Sequence, residues 1–194
     1  MIQRLCVFCG SSSGFDPIYA QAAHRVGALL AERNIGLVYG GGNVGLMGVL
    51  ADACLKAGGN VIGVIPQQLL DKELGHGALT ELHVVTSMHE RKALMADLAD
   101  AFLALPGGYG TWDEFCEILT WCQLGLQRKA FGILNVKGYY DHMLQMADRA
   151  VAEGFLRPIH REMILTSEDP MELLKRLIDT EPPIVDKWLD RAAR

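Results

Sequence analysis

The sequence contains no apolar run that approaches the ~20 residues needed to cross a bilayer, and it predicts no membrane partner. Its first residues lack a basic stretch followed by a long apolar segment, so no secretory signal is predicted. Basic residues are also in deficit, since 18 Lys and Arg face 23 Asp and Glu, for a net charge of −5. Nucleic-acid-binding proteins need a basic surface for phosphate contacts, so this balance argues against such a partner.

The cysteines and histidines show no metal or disulfide pattern. Five cysteines without framework spacing indicate reduced thiols, which is typical of a cytoplasmic protein. Cys6 and Cys9 have C-x-x-C spacing, but they lie in an apolar run that predicts a strand. Residues three apart on a strand face opposite sides, so we expect two buried thiols that do not bridge. The six histidines form no H-x-H or H-x-x-x-H pair, and no metal site is expected.

What the chain does contain is an alternation of short apolar runs with amphipathic segments, in a length typical of one domain (1–194). The runs are rich in Val, Ile and Leu without polar alternation, which is typical of parallel strands covered on both faces. The predicted strands are 5–9, 36–39, 60–65, 82–85, 101–105, 131–135 and 163–165. The first predicted helix begins at Asp16-Pro17. Further helices are predicted at 44–57, 87–98, 111–125, 139–153 and 169–179, with a tail helix at about 183–194.

This alternation predicts an α/β fold of the Rossmann-like, doubly wound kind. Its sheet is mainly parallel, with about seven strands and with helices on both faces. Ligands in such folds bind beyond the carboxyl ends of the strands.

Three glycine-rich loops, at 10–14, 40–45 and 106–111, follow predicted strands. Glycine lets a backbone approach a ligand closely, and a helix N-terminus beside such a loop attracts a phosphate. Three such loops on one sheet edge predict an anion site. The candidate ligand contacts in these loops are Ser11, Gly41, Gly42, Gly107, Gly108, Tyr109, Gly110 and Thr111.

The second loop also matches the G-x-G-x-x-G pattern of dinucleotide-binding proteins, through Gly40, Gly42 and Gly45. That pattern needs an acidic residue about 20 positions later for the ribose hydroxyls. Residues 61–66 read VIGVIP and contain no acid, and the loop follows the second strand rather than the first. We therefore do not predict NAD binding, and the absence of G-x-x-x-x-G-K-[ST] disfavours a P-loop ATPase.

Two further motifs have competing interpretations. Thr111 and Glu114 form either a helix capping box or a carboxylate held beside a phosphate loop, with Glu117 on the same helical face. The glycines favour the second interpretation. Arg91 and Lys92 follow an S-x-x-E cap and are either a solvated pair or an anion clamp in the cleft. Spacing alone does not decide whether Arg91 and Lys92 are solvated or bind an anion.

Residues 106–114, PGGYGTWDE, resemble the PGGxGTxxE signature of the "lonely guy" family, the cytokinin riboside 5′-monophosphate phosphoribohydrolases long mislabelled as lysine decarboxylases. Residues 88–92, MHERK, resemble its M-x-x-R-K motif, and 5–12, 38–48, 61–66 and 119–125 resemble the rest of its pattern. Trp112 and Asp113 replace the Leu-Glu that is commoner after the signature threonine, while the terminal Glu is kept.

The resemblance implies hydrolysis of the N-glycosidic bond of an adenosine 5′-monophosphate, typically N6-modified, by a homodimer with sites near its interface. It implies that Arg91 and Glu114 are the essential pair. The implied substrate contacts are Glu73, Lys92, Gly108 to Glu114 and Thr120. No cofactor is expected, because we find no arrangement of a Schiff-base lysine with an acidic partner for pyridoxal phosphate.

Two other functions remain open from the sequence. One is a general nucleosidase for AMP or other purine nucleotides. The other is a non-catalytic carrier like the molybdenum-cofactor carrier proteins, which share this fold and similar glycine loops. The Arg91/Glu114 pair argues against the carrier, since binding alone needs no carboxylate beside a phosphate.

Overall fold

The computed structural model describes residues 2–72 and 74–182. Strands and helices alternate along the chain. The strands are β1 (Arg4–Phe8), β2 (Gly36–Tyr39), β3 (Val61–Pro66), β4 (Glu81–Val85), β5 (Ala101–Ala104), β6 (Ala130–Leu134) and β7 (Ile164–Ser167). The helices are α1 (Pro17–Glu32), α2 (Gly45–Lys56), α3 (Gln67–Leu70), α4 (Met88–Leu98), α5 (Tyr109–Gln123), α6 (Asp141–Ala152), α7 (Pro158–Glu162) and α8 (Pro170–Asp179).

The seven strands form one parallel sheet in the order β4-β3-β2-β1-β5-β6-β7. This confirms the predicted α/β class. Strand order reverses direction at β1, which pairs with β2 on one side and with β5 on the other. The loops after β1 and β5 therefore lie side by side at a topological switch point, where such sheets bind ligands.

Two apolar layers cover the sheet. Side chains of α1, α2 and α8 pack on one face, and those of α4 and α5 pack on the other. Cys9 lies in the first layer and Cys6 in the second, and both are buried free thiols, as the strand periodicity predicts. None of the helices in the described ranges is long and apolar enough to span a membrane.

Local sequence explains the start of α1 but was misleading for α5. Asp16 caps α1 by accepting a hydrogen bond from the Ile18 N–H at 3.0 Å, with Pro17 in the first helical position. The prediction for α5 is wrong at its start, because the helix begins at Tyr109 with Gly108 as N-cap. Thr111 is thus already inside the helix, and the capping-box interpretation of Thr111 and Glu114 is excluded.

Two short helices, α3 and α7, were not predicted, because each has only four or five residues and no helical periodicity to detect. The predicted tail helix at about 183–194 lies outside the described residues, so it stays a prediction.

Candidate active site

The first and third glycine loops form the two walls of a cleft of about 300 Å³ at the switch point. Its lining also includes Tyr19, Leu46 and Tyr139. The Gly10 N–H donates to the Pro106 carbonyl at 3.0 Å, which ties the two loops together. The Leu46 N–H donates to the Gly10 carbonyl at 3.0 Å and ties α2 to the same wall. The cleft is therefore framed by backbone, and Gly108, the N-cap of α5, places a helix N-terminus in its lining.

Close packing requires glycine at two positions beside this cleft, Gly107 and Gly45. A Cβ on Gly107 would collide with the Thr111 hydroxyl and lie 2.8 Å from the Gly10 nitrogen. Gly45 has φ +58°, and a Cβ there would collide with the backbone of Ser11. Ser11 itself is exposed in the cleft wall, and its side chain is accessible to a ligand.

The second glycine loop is covered by protein instead. The His76 N–H donates to the Gly41 carbonyl at 3.0 Å, and Gly42 forms an isolated antiparallel bridge with Gly75. The buried His76 ring lies 3.0 Å from Asp52 on α2. Gly41 and Gly42 are thus buried under a loop that His76 anchors, and they do not line the cleft of the other two loops.

Arg91 projects from the first turns of α4 into the protein, with only 6% of its surface exposed. Its Nε donates to the Val64 carbonyl at 3.0 Å, and its Nη2 donates to the Gly40 carbonyl at 3.4 Å. Its Nη1 donates to Oε1 of Glu114 at 2.6 Å. The guanidinium is therefore fixed between the ends of β2 and β3 and the second turn of α5, and the solvated-pair interpretation is excluded.

Glu114 is equally buried, with 7% of its surface exposed. Burial raises the pKa of its carboxyl, while the Arg91 charge and hydrogen bond oppose that rise, and the net pKa lies above its ordinary value. A carboxylate in such surroundings is poorly solvated and is held in one orientation. Both properties favour stabilisation of a nearby positive charge.

Lys92 forms a second ion-pair cluster beside the first. Its Nζ lies 2.9 Å from Oδ2 of Asp113 and 2.9 Å from Oε2 of Glu117. Burial lowers the pKa of Lys92, but these two carboxylates more than offset it, and the net pKa is raised. Three carboxylates thus face two cations across α4 and α5, and neither Arg91 nor Lys92 is left unpaired to bind a phosphate. The anion-clamp interpretation of Arg91 and Lys92 therefore does not fit this arrangement either.

Helix caps place these cations despite an unfavourable dipole. The Ser87 hydroxyl accepts from the Glu90 N–H at 3.1 Å, and Glu90 accepts from the N–H and hydroxyl of Thr86 at 2.8 and 2.7 Å. The predicted S-x-x-E cap is confirmed, with its return bond shifted to Thr86. Basic side chains in the first turns oppose the helix dipole. The carboxylates of Asp113, Glu114 and Glu117 on α5 offset this unfavourable interaction with the dipole.

The remaining candidates are not brought to one place. Tyr109 is 86% exposed and contacts Trp112 edge-on at 5.2 Å between ring centroids. The exposed Thr120 lies near the end of α5, and its hydroxyl donates to the Cys116 carbonyl at 2.8 Å. Glu73 lies outside the described residues, so its role stays a prediction.

Three contributions escaped the sequence analysis. Gly40 has no room for a side chain, because a Cβ would collide with Nη2 of Arg91. Asp113 pairs with Lys92, and Tyr139 lines the cleft. Gly40 stands in the quoted glycine motif and could have been assigned from it. No local pattern links Tyr139 to a loop more than 25 residues earlier in the chain.

A second cleft, of about 290 Å³, lies away from these residues. It is mainly apolar and contains none of the candidate site residues. Its lining includes Leu119, Cys122, Phe131, Ile159, Met163 and Pro182.

Comparison with known proteins identifies close relatives. A family model described as "Possible lysine decarboxylase" matches residues 47–177. The cytokinin riboside 5′-monophosphate phosphoribohydrolase LOG7 of Arabidopsis thaliana is 51% identical over 180 residues, covering 93% of this chain and 83% of that protein. LOG1 of the same plant is 49% identical over 180 residues, covering 93% and 84%.

Solved structures show the same fold at much lower identity. The molybdenum cofactor carrier protein of Chlamydomonas reinhardtii superposes with a TM-score of 0.68 at 17% identity, covering 93% of this chain and 100% of that one. The molybdenum cofactor binding protein of Rippkaea orientalis gives 0.67 at 20%, covering 92% and 98%. These likenesses establish the architecture alone. Because half of its residues are identical to the plant proteins over nearly its whole length, this chain belongs to the cytokinin riboside 5′-monophosphate phosphoribohydrolase family.

Proposed function

We propose that this protein is an enzyme that hydrolyses the N-glycosidic bond of adenosine 5′-monophosphates, including N6-modified ones. The products are the free base, either adenine or a cytokinin, and ribose 5-phosphate. The observation that carries the proposal is the buried Arg91–Glu114 pair, with its 2.6 Å contact, in a chain 51% identical to a phosphoribohydrolase. A protein that only binds a nucleotide has no need of this desolvated carboxylate.

Helix α5 connects the cleft, which its N-cap Gly108 lines, to Glu114 in its second turn. The N-terminus of α5 and the cleft loops present backbone N–H groups that can hold the 5′-phosphate. Glu114 lies four residues beyond Gly110 in α5, a rise of about 6 Å along the helix axis. We propose that a phosphate held at the loop places the anomeric carbon of the nucleotide within reach of this carboxylate.

The chemistry follows from this placement. As the bond between the anomeric carbon and the base nitrogen breaks, positive charge develops on the sugar, as in glycoside hydrolysis. Glu114 stabilises that charge or takes a proton from the attacking water, whose oxygen bonds to the anomeric carbon. The base leaves with the bonding electron pair and acquires a proton. Arg91 keeps the Glu114 carboxylate oriented throughout.

Lysine decarboxylase chemistry does not fit the same residues. A pyridoxal phosphate enzyme needs an amine that can lose its proton to form a Schiff base. The Lys92 amine is held by Asp113 and Glu117, and its raised pKa favours the protonated form instead.

The proposal extends to assembly and compartment. We propose a cytoplasmic homodimer, in which a second copy approaches the exposed Tyr109 and Thr120. Size-exclusion chromatography with light scattering tests the dimer. A monomer at assay concentration that is fully active would contradict it.

A comparison of substrates tests the proposed activity. The enzyme is given AMP, its N6-isopentenyl derivative and the matching nucleosides, and released base is measured by chromatography. We expect turnover of the monophosphates and at least tenfold lower kcat/KM for the nucleosides, which lack the anion. A marked preference for the N6-modified nucleotide supports a cytokinin-forming enzyme, and equal turnover of AMP supports a general nucleosidase. Equal rates with nucleosides would contradict the anion-binding role of the loops.

A further inference from the structure

Three successive carbonyls of the loop after β5 accept hydrogen bonds from three donors that lie in two different parts of the chain. Leu105 accepts from the Tyr140 hydroxyl at 2.7 Å, and Pro106 accepts from the Gly10 N–H at 3.0 Å. Gly107 accepts from the Tyr139 hydroxyl at 2.6 Å. Of these donors, Tyr139 and Gly10 line the cleft, whereas Tyr140 is buried with 1% of its surface exposed.

The bond to Gly107 fixes one particular peptide plane. In a trans peptide the C=O and the following N–H point in opposite directions. Holding the Gly107 carbonyl at Tyr139 therefore also fixes the direction of the Gly108 N–H. Gly108 is the N-cap of α5, so this amide stands at the positive end of the helix dipole.

Side-chain hydrogen bonds and an ion pair hold the segment 135–141, which contains Tyr139, in place. The Asn135 side chain donates to Asp141 at 2.7 Å and accepts from the Tyr140 N–H at 2.8 Å. Lys137 within this segment pairs with Asp16 at the start of α1, at 2.8 Å. The Tyr139 hydroxyl is thus presented to the loop by a braced turn.

Aromatic contacts brace the ring on both sides. Tyr139 packs edge-on against Tyr19 at 5.9 Å and against Tyr140 at 4.9 Å between centroids. Tyr140 in turn packs edge-on against Phe115 at 5.8 Å. Phe115 directly follows Glu114 on α5. These contacts depend on the rings, so they survive removal of the hydroxyl.

We infer that Tyr139 is a positioning residue that presets the anion-binding loop for the substrate phosphate. Without its hydroxyl, the Gly107–Gly108 peptide is free to rotate and to direct its carbonyl oxygen, instead of its N–H, towards the bound anion. The consequence is weaker phosphate binding with little change in bond cleavage, because Glu114 and Arg91 are not touched. This inference rests on the proposed function for its substrate, but it makes a separate prediction about binding.

The test compares Tyr139→Phe with Tyr140→Phe, since each loses one hydroxyl that donates to a carbonyl of the same loop. The affinity for ribose 5-phosphate is measured by calorimetry on each full-length variant, and base release from AMP gives KM and kcat. For Tyr139→Phe we expect Kd and KM to rise together by about five- to tenfold, with kcat within twofold of the wild type. For Tyr140→Phe we expect a lower melting temperature and less than a twofold change in Kd.

Four results would overturn the inference. Unchanged Kd and KM in Tyr139→Phe mean that the hydroxyl does not set the loop, as does a fall in kcat alone. Equal weakening by Tyr140→Phe assigns the effect to general loop integrity. Failure of the wild type to bind ribose 5-phosphate also contradicts it. Failure of the wild type to release base, with ribose 5-phosphate still bound, contradicts the proposed function and leaves the binding result to judge Tyr139.

Discussion

Nη1 of Arg91 and Oε1 of Glu114 lie 2.6 Å apart, and each side chain is only 8% exposed. Such a pair is expensive to bury, and removing one partner leaves an uncompensated charge at a cost of about 3–5 kcal/mol. Two cations and three carboxylates are collected here across α4 and α5. An arrangement this costly fits a role in catalysis better than a role in stability.

The first prediction concerns Glu114 and how it should be substituted. Glu114→Gln keeps the shape of the side chain and a hydrogen bond acceptor for Arg91, so it disturbs the fold less than Glu114→Ala does, although both variants remove the counter-charge of Arg91. Base release is expected to fall by about 100-fold or more, because the negative charge beside the sugar is lost. Glu114→Ala should lower the melting temperature further, since it also removes the hydrogen bond acceptor of Arg91 and leaves a cavity. A glutamine variant with full activity contradicts the role of the carboxylate.

Gly40 provides a second test, in which no charged residue is substituted. Gly40→Ala places a Cβ against Nη2 of Arg91 and forces the guanidinium out of its three hydrogen bonds. We expect at least a tenfold loss of kcat/KM and a destabilisation of about 1–3 kcal/mol. Gly77→Ala is the matched control, because a Cβ there meets nothing within 4 Å. If the two variants have equal activity, the exact placement of Arg91 is unimportant.

The pH profile of kcat/KM tests the electrostatics. Because burial raises the pKa of Glu114 above that of an ordinary glutamate, the acid limb should have its midpoint above the usual range of a carboxyl group. The charge of Asp113 contributes to the rise, so Asp113→Asn should move the limb to lower pH. Freeing Lys92 from Asp113 acts in the same direction, since a cation favours the carboxylate. A limb that stays in place in this variant contradicts the assignment to Glu114.

Thiol labelling tests the fold at the first glycine loop. Cys6, Cys9, Cys54 and Cys122 are buried and only Cys116 is exposed among the five free cysteines. Burial raises the pKa of Cys6 and Cys9, which keeps both as unreactive thiols. We expect Ellman's reagent to label one thiol in the native protein and five after unfolding, with the native signal lost in Cys116→Ser. Rapid labelling of two further thiols would favour a redox role for Cys6 and Cys9.

Sequence patterns predicted the strands and the loops well because both leave local signals. Parallel strands buried on both faces are continuous apolar runs, and the glycines of 40–45 together with Gly107 mark close contacts. The start of α5 was missed because Gly108 and Gly110 suggested a longer loop, although a glycine N-cap allows the helix to begin between them.

The pairing within the site depends on contacts distant in sequence. Arg91 and Glu114 are 23 positions apart, and Tyr139 and Gly107 are 32 apart. Their contacts exist because the sheet order brings the ends of β2, β3 and β5 to one edge, which no residue spacing encodes. Family resemblance supplied the first pair, and only the structure supplied the second.

Product analysis of the wild type beside Glu114→Gln tests the central claim most directly. With AMP or its N6-isopentenyl derivative in phosphate-free buffer, the wild type should yield free base and ribose 5-phosphate in equal amounts. The correctly folded glutamine variant should yield about a hundredth as much or less in the same time. Intact nucleotide after incubation with folded wild type, or equal yields from the two proteins, would contradict the account.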